Sequence, residues 1–138
     1  MSEGISLQTT TYQAPDRRWL LAEPKVKFGK TVDTTKFVAN THYPNGYIPS
    51  GVALGIVTAT QLLGPYDDTK SDGTQTFYGF AYDDIRVTLQ NGTAATQVPV
   101  GVVTFDAAVS LARLPFQSGA GAIDANGKAD NPTLRYEA

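Results

Sequence analysis

Cysteine is absent from this chain of 138 residues. Disulfide bonds, thiolate nucleophiles and thiolate metal ligands are therefore excluded together. Stability must come instead from a hydrophobic core or from assembly with other copies. A single domain of this length buries roughly two thirds of the surface that its unfolded chain exposes, which is enough to form such a core.

Charged residues are scarce, at 17% of the chain against about 25% in ordinary globular proteins. The net charge is −2, so we expect no field that attracts nucleic acid or an anionic membrane. The charges are unevenly spread. Residues 17–36 hold six basic and two acidic side chains (+4), and residues 67–84 hold one basic and five acidic ones (−4). This layout favours head-to-tail packing of copies or docking on a surface of mixed charge; the alternative is two solvated loops or faces of opposite sign.

Long apolar runs are also missing, and none approaches the roughly 20 residues that cross a membrane. The first residues lack the basic and apolar regions of a signal peptide, so we expect a protein made and kept in a cytoplasm. Residues 1–16 are polar and rich in threonine, which predicts a flexible N-terminal arm. Residues 17–138 are predicted to form a single β-rich domain.

Glycine, threonine and valine dominate the remainder and favour strands and tight turns. The clearest segment is residues 46–60, a run of small and β-branched residues interrupted by glycines, and residues 98–115 resemble it. Glycine inside a strand indicates a bulge or the close approach of another backbone. With turn signals between six or seven short strands, the pattern predicts a mainly β sandwich or barrel with at most one short helix.

Individual elements follow from local patterns. Alternation over Lys25–Phe28 predicts a half-exposed strand, and residues 106–113 fit either a short helix or a strand. Further β-rich segments are 31–38, 47–60, 74–89 with a possible break at Asp83-Asp84, 98–105 and 133–136.

Residues that could perform chemistry are few. His42 is the single histidine and precedes a Pro-Asn-Gly turn, so we expect it to be exposed in a loop. Adjacent carboxylates such as Asp67-Asp68 and Asp83-Asp84 point to opposite faces of an extended chain and do not converge on one substrate. The segment from Asp68 to Gly79 departs from a calcium loop, because lysine and glycine stand at ligand positions. We expect no catalytic residue, no metal and no cofactor.

Aromatic residues cluster at Phe77–Tyr82, within an acidic stretch that would repel phosphate. We therefore expect no direct nucleic-acid contact, and predict that this cluster builds the core on one face and an interface on the other. Trp19 follows two arginines, and tryptophan and arginine often anchor interfaces. Either Trp19 contacts a partner, or it closes one end of the core.

Four segments carry a resemblance to a known family: Arg18-Trp19-Leu20 after a polar arm, Gly46–Gly51 leading into a small-residue strand, Val98–Val103 leading to Ala112–Pro115, and a terminal Leu134-Arg135-Tyr136. From about residue 18 to 136, the sequence resembles the lambda-type head decoration proteins of tailed bacteriophages.

The resemblance implies a structural protein of the virion. Such proteins sit as trimers on the outer surface of the expanded capsid and hold major capsid protein subunits against the pressure of packaged DNA. The arm would order on the capsid by adding a strand to a shell element. Its expected contact residues are Thr9, Thr10, Thr11, Tyr12, Arg17, Arg18 and Trp19. The expected trimer interface comprises Gly51, Val52, Gly55, Phe77, Tyr78, Phe80 and Tyr82.

Two other functions compete with this reading. A small β-sandwich module could bind carbohydrate or a host surface through exposed coplanar tyrosines, chosen from Tyr43, Tyr47, Tyr66, Tyr78 and Tyr82. An enzyme with a β-barrel core would depend on His42 or the aspartates. The sequence favours the structural role over both.

Overall fold

The computed structural model describes residues 15–89 and 92–138. The prediction of a mainly β fold is confirmed, since the described residues contain ten short strands. In chain order these are β1 Leu20–Ala22, β2 Phe28–Asp33, β3 Tyr47–Ile48, β4 Ala53–Ile56, β5 Leu63–Pro65, β6 Gly79–Ala81, β7 Ile85–Arg86, β8 Gln97–Val103, β9 Ala108–Ser110 and β10 Arg135–Glu137. The helices are α1 Ala39–His42 and α2 Ala125–Asp130, with 3₁₀ turns at Thr34–Lys36 and Leu111–Arg113.

Five strands close into a barrel in the order β2-β5-β4-β6-β8. The longest ladder joins β2 to β8 antiparallel, from Phe28 opposite Val102 to Asp33 opposite Gln97. Among the described barrel strands, only β2 and β5 pair in parallel. A three-stranded sheet, β1-β9-β10, lies beside the barrel, and β3 pairs with β7.

Strands β4, β5 and β6 of the barrel are buried on both faces, which explains the continuous apolar runs in these parts of the sequence. In β4, Leu54 points into the barrel core while Ala53 joins a second core that also contains Trp19. The same alternation places Val102 of β8 in the first core and Val103 in the second. The second core lies outside the barrel and includes Val109 of β9, so it joins the barrel to the three-stranded sheet.

Gly55 shows why a glycine interrupts the small-residue run. A Cβ atom at this position would lie 2.7 Å from the Cα atom of Thr74 and 2.9 Å from its carbonyl oxygen. Backbone at this distance cannot move aside as a flexible side chain could. The predicted close approach of another backbone is therefore confirmed at Gly55.

Some element boundaries differ from the predictions. Residues 25–27 are not part of a strand, and β2 begins only at Phe28. Because both Val26 and Phe28 are exposed, the alternation of lysine and apolar residues in this segment does not mark a buried face. The break at Asp83-Asp84 is confirmed, because it separates β6 from β7. Residues 106–113 contain a strand followed by a 3₁₀ turn. Two helices occur where at most one was predicted, and none of the described helices is long and apolar enough to cross a membrane.

Candidate functional site

Arg17 fastens the start of the described chain to the barrel. Its Nε donates a hydrogen bond to the carbonyl oxygen of Tyr82 at 3.0 Å, and its Nη2 donates to the carboxylate of Asp83. The guanidinium carbon lies 4.2 Å from the centre of the Tyr82 ring. These three contacts fix the place at which the N-terminal residues join the domain, and we call Asp16–Trp19 the arm root.

The Tyr82 ring binds a second cation. Nζ of Lys27 lies 4.3 Å from the ring centre, and the Tyr82 hydroxyl donates a hydrogen bond to Oε1 of Glu23 at 2.8 Å. That hydrogen bond raises the pKa of the Tyr82 hydroxyl. Each cation–π contact at an exposed site contributes about 0.5–1 kcal/mol, so Arg17 and Lys27 together occupy the ring and stabilise the arm root.

Trp19 and Ser50 form the buried part of the same site. The indole Nε1 of Trp19 donates to Oγ of Ser50 at 3.1 Å, and Oγ of Ser50 donates to the carbonyl oxygen of Tyr82 at 2.7 Å. The Trp19 ring also packs on Phe80, with ring centres 5.5 Å apart. The Ser50 hydroxyl thus accepts the hydrogen bond of the indole N–H and donates its own hydrogen bond to the turn after β6.

Asp84 completes this network and leaves one oxygen unsatisfied. Its Oδ1 accepts a hydrogen bond from the backbone N–H of Ser50 at 2.8 Å. Its Oδ2 is buried and has no hydrogen-bond partner in the described part of the chain. Burial raises the pKa of the Asp84 carboxyl, against the opposing effects of the Ser50 hydrogen bond and of Arg17. Charged Asp84 is therefore costly for the folded state.

Strand β1 continues directly from the arm root and lies at the edge of its sheet. It pairs with β9 on one side, and the backbone N–H of Ser110 donates to the carbonyl oxygen of Trp19 at 2.7 Å. Its other side has no partner strand among residues 15–89 and 92–138. An unpaired edge of this kind can accept an added strand.

The predicted arm contacts divide into three groups. Thr9, Thr10, Thr11 and Tyr12 lie outside the described residues. Arg17 and Arg18 lie at the arm root, where exposed Arg18 pairs with Asp16 at 2.9 Å and lowers the pKa of that carboxyl to about 2. Trp19 is 1% exposed, so of its two predicted roles the structure favours closing the core.

The residues predicted to form a trimer interface lie mostly inside one subunit. Buried among them are Gly51, Val52, Gly55, Phe77 and Phe80, and half-buried are Tyr78 and Tyr82. The prediction that Phe77–Tyr82 presents one face to an interface assumed a free face, whereas β4 and β6 are covered on both faces within the subunit. Of the predicted set, only Tyr78 and Tyr82 are partly open to solvent.

The expectation that His42 is exposed is wrong. It is 2% exposed and ends α1, where its Nδ1 accepts a hydrogen bond from the backbone N–H of Val38 at 2.9 Å. Its Nε2 lies 2.9 Å from the carbonyl oxygen of Ala120, which requires the hydrogen on Nε2. The ring stands edge-on to Phe37 and Phe116. His42 is buried because it lies between the barrel and the loop that contains Ala120. The two residues are 78 positions apart in sequence, so no local pattern indicates this contact.

The adjacent carboxylates are separated, as the sequence predicted. Asp83 is exposed and pairs with Arg17, whereas Asp84 turns inward to Ser50. In the loop that loosely matched a calcium site, Oδ1 of Asp72 accepts hydrogen bonds from the N–H and hydroxyl groups of Thr74. No group of three or more candidate metal-ligating side chains occurs within residues 15–89 and 92–138.

Sequence reasoning missed Ser50, Asp84 and Lys27 as members of this site. Ser50 and Asp84 are 34 residues apart, and Lys27 reaches Tyr82 across the β2–β8 ladder, so their association depends on tertiary pairing. One local signal was available, since Ser50 stands between Pro49 and Gly51. Such a tight turn exposes backbone N–H groups that need partners.

No family model matches the chain, and no similar curated protein or solved structure was found. Function is therefore inferred from the residues described above together with the sequence resemblance.

Proposed function

We propose that this protein is a capsid decoration protein of a tailed bacteriophage. It binds the outer surface of the expanded head as trimers, contacts the major capsid protein, and stabilises the shell against the pressure of packaged DNA. It is made in the host cytoplasm and acts in the virion. Its role is binding, with no catalytic step.

The arm root is the observation that carries this proposal. Arg17 and Trp19 attach the end of the arm to the barrel through a buried hydrogen bond, an ion pair and a stacked ring. Because the attachment is fixed, any contact made by the preceding residues transmits force directly to the domain. A protein that holds shell subunits together needs such a connection.

The free edge of β1 supports the same role. A strand added there, or by the arm to a shell element, gains affinity through backbone hydrogen bonds with few demands on sequence. Ordering an arm costs about 1–2 kcal/mol per residue, so binding of this kind requires many simultaneous contacts. A capsid surface with repeated sites provides them.

Two of the five tyrosines that a carbohydrate-binding module would use are not available as a platform. Tyr66 is 1% exposed and packs against Phe77. Tyr82 is covered by two cations. Because sugar rings stack on bare aromatic faces, this arrangement favours the capsid role over the carbohydrate alternative.

The test is co-sedimentation with phage heads before and after expansion. It compares the full chain, a chain lacking residues 2–14, and Arg17→Ala. The deletion keeps the arm root intact and therefore isolates the arm itself. Arg86→Ala is the matched control, because Arg86 is an exposed arginine of β7 whose Nε donates to the carbonyl oxygen of Thr88, two residues away.

We expect the full chain and Arg86→Ala to bind expanded heads alone, saturating at three copies for each threefold site. The deletion and Arg17→Ala should each weaken binding at least tenfold, about 1.4 kcal/mol. Equal binding to both head forms, or binding to neither, would refute the proposal.

A further inference from the structure

Two exposed phenylalanines touch at one end of the barrel. Phe28 begins β2 and is 45% exposed, and Phe105 follows β8 and is 37% exposed. Their ring centres are 6.0 Å apart. Val26, two residues before Phe28, is 47% exposed. We call Val26, Phe28 and Phe105 the phenylalanine face; contiguous exposed apolar side chains of this kind mark interaction sites more often than isolated ones do.

The turn that presents Phe105 is strained. Asp106, the next residue, has a φ of 56°, in the left-handed region that residues other than glycine seldom adopt. The aromatic partner of Phe105 is Phe28, which is itself exposed. The strain is explained if the exposed ring serves a contact between molecules.

A second exposed apolar residue lies past the other end of β2. Val38 is 57% exposed and lines a cleft of about 250 Å³ together with Asp67 and Asp72. Asp68 is also exposed and follows Asp67 directly. We call Val38, Asp67, Asp68 and Asp72 the valine face.

The two faces cannot meet within one subunit. Phe28 is the first residue of β2 and Asp33 the last, after which a 3₁₀ turn leads to Val38. Five steps of about 3.3 Å along the strand separate Phe28 from Asp33 by roughly 17 Å. The phenylalanine face and the valine face therefore lie at opposite ends of the strand.

The charges around the two faces are complementary. Around the phenylalanine face are three lysines and two acidic residues: Lys25, Lys27, Lys30, Glu23 and Asp106. Around the valine face are four aspartates and two lysines: Asp33, Asp67, Asp68, Asp72, Lys36 and Lys70. Lys25 has no ion-pair partner among the described residues, and the same holds for Asp67, Asp68 and Asp72. The three aspartates accept hydrogen bonds from Thr69, Asn126 and Thr74, but these neutral donors leave their negative charge uncompensated, so charges of opposite sign are available at the two ends.

We infer that the phenylalanine face of one copy binds the valine face of the next, so that copies associate head to tail. The contact is heterologous, and copies related by a threefold rotation, as the proposed function requires, would close into a ring. This inference rests on the proposed function for the number of copies, and it identifies the self-contact surface. It replaces the buried residues that the sequence had suggested for this interface.

The contact is small. Stable interfaces bury about 800 Å² on each partner, more than three or four partly exposed apolar side chains offer. Association of the free protein should therefore be weak and dependent on concentration. A method that traps transient contacts is the appropriate test.

Engineered cysteines provide that trap, because the chain has none of its own. Val26→Cys and Val38→Cys each replace one exposed valine with a side chain of similar size. Under mild oxidation at high concentration, we expect the two variants to form disulfide-linked dimers when mixed, at least tenfold faster than either does alone. Ala112→Cys, an exposed position on the side of the three-stranded sheet, should not link to either.

Faster linking of either variant with itself would indicate a symmetric contact and overturn the inference, as would no linking in the mixture above the level of Ala112→Cys. The chain that carries both cysteines should give products ending at three copies.

A charge exchange tests the same contact independently. Lys25→Glu and Asp68→Lys should each weaken self-association at low salt about threefold or more, measured by analytical ultracentrifugation. Lys25→Glu combined with Asp68→Lys has the net charge of the parent chain and should restore association. Failure of the combination to recover association, with all three variants folded by circular dichroism, would overturn the proposed pairing.

Both measurements use the free protein, without phage heads. A chain that links head to tail but does not bind heads would refute the capsid role and leave the self-contact intact. A chain that binds heads without head-to-tail linking would refute the self-contact and leave the capsid role intact.

Discussion

Three buried or half-buried polar side chains, His42, Ser50 and Asp84, hold loops of this protein to the barrel. Each forms hydrogen bonds with backbone N–H or carbonyl groups that are not paired in a strand ladder. A buried N–H or carbonyl left without a partner costs about 1–3 kcal/mol, so these side chains matter more than their number suggests. Two of them allow direct tests.

His42→Ala should lower the free energy of unfolding by about 2–4 kcal/mol. The change leaves a cavity between Phe37 and Phe116 and removes the hydrogen-bond partners of Val38 and Ala120. Urea titration followed by circular dichroism measures the loss.

His42→Phe serves as the matched control, because it fills the space but makes neither hydrogen bond. We expect it to recover only part of the loss. Full recovery would show that the ring acts by volume alone.

Asp84→Asn should stabilise the protein more at pH 7 than at pH 4. Burial raises the pKa of Asp84 in the folded state, so the folded carboxyl holds its proton at pH values where the unfolded one has lost it. Stability is therefore lost as pH rises from the ordinary aspartate pKa of about 3.9 through the raised value, and is constant above it. Asparagine does not titrate and avoids this loss.

Unfolding in urea at pH 4, 5.5 and 7 gives the comparison. The difference between Asp84→Asn and the parent chain should increase with pH. A constant difference would show that Asp84 ionises as freely in the folded state as in the unfolded one.

At the scale of elements, short aspartate turns recur along the chain. In the pairs Asp33 with Thr35, Asp67 with Thr69 and Asp72 with Thr74, Oδ1 of the aspartate accepts from the threonine N–H at 3.0 Å and from its hydroxyl at 2.6 Å. The hydroxyl and backbone hydrogen bonds of Thr74 lower the pKa of Asp72. The signature Asp-x-Thr is visible in the sequence and predicts these Asx turns.

Gly55→Ala should destabilise the protein by about 1–3 kcal/mol, as overpacking does. The added methyl group would meet backbone atoms of Thr74 and Thr76 within 2.9 Å, and the neighbouring loop must shift to admit it.

Gly29→Ala is the matched control from another barrel strand. A Cβ atom there meets nothing within 4 Å and the backbone is not left-handed, so the change should be neutral or stabilising by up to about 1 kcal/mol. Equal destabilisation at the two positions would argue against a specific close approach at Gly55. Thermal unfolding of both variants decides between these outcomes.

The β class and the break after β6 were predictable because they rest on local composition and turn residues. The helices were not, since α1 has four residues and α2 has six, too few to show a helical period. The burial of His42 and the links from Ser50 to Asp84 and Trp19 join residues far apart in sequence. Such contacts depend on strand order, which the sequence leaves open.

At the scale of the whole molecule, two cores share the same strands. Neighbouring residues of β4, β6 and β8 point alternately into the barrel and into the second core. A force applied at the arm root reaches the second core through Trp19, and the barrel through the strands common to both. We therefore expect the two cores to unfold as one unit.

Leu54→Ala tests this coupling from the barrel side. Leu54 is fully buried in the first core, so its truncation should cost about 2–5 kcal/mol. Trp19 is the single tryptophan and lies in the second core, so its fluorescence reports there, while circular dichroism reports on all strands. In a cooperative molecule the urea midpoints of the two signals coincide and fall together in the variant. A fluorescence midpoint that stays in place while the circular dichroism midpoint falls would show that the second core holds the arm root independently of the barrel.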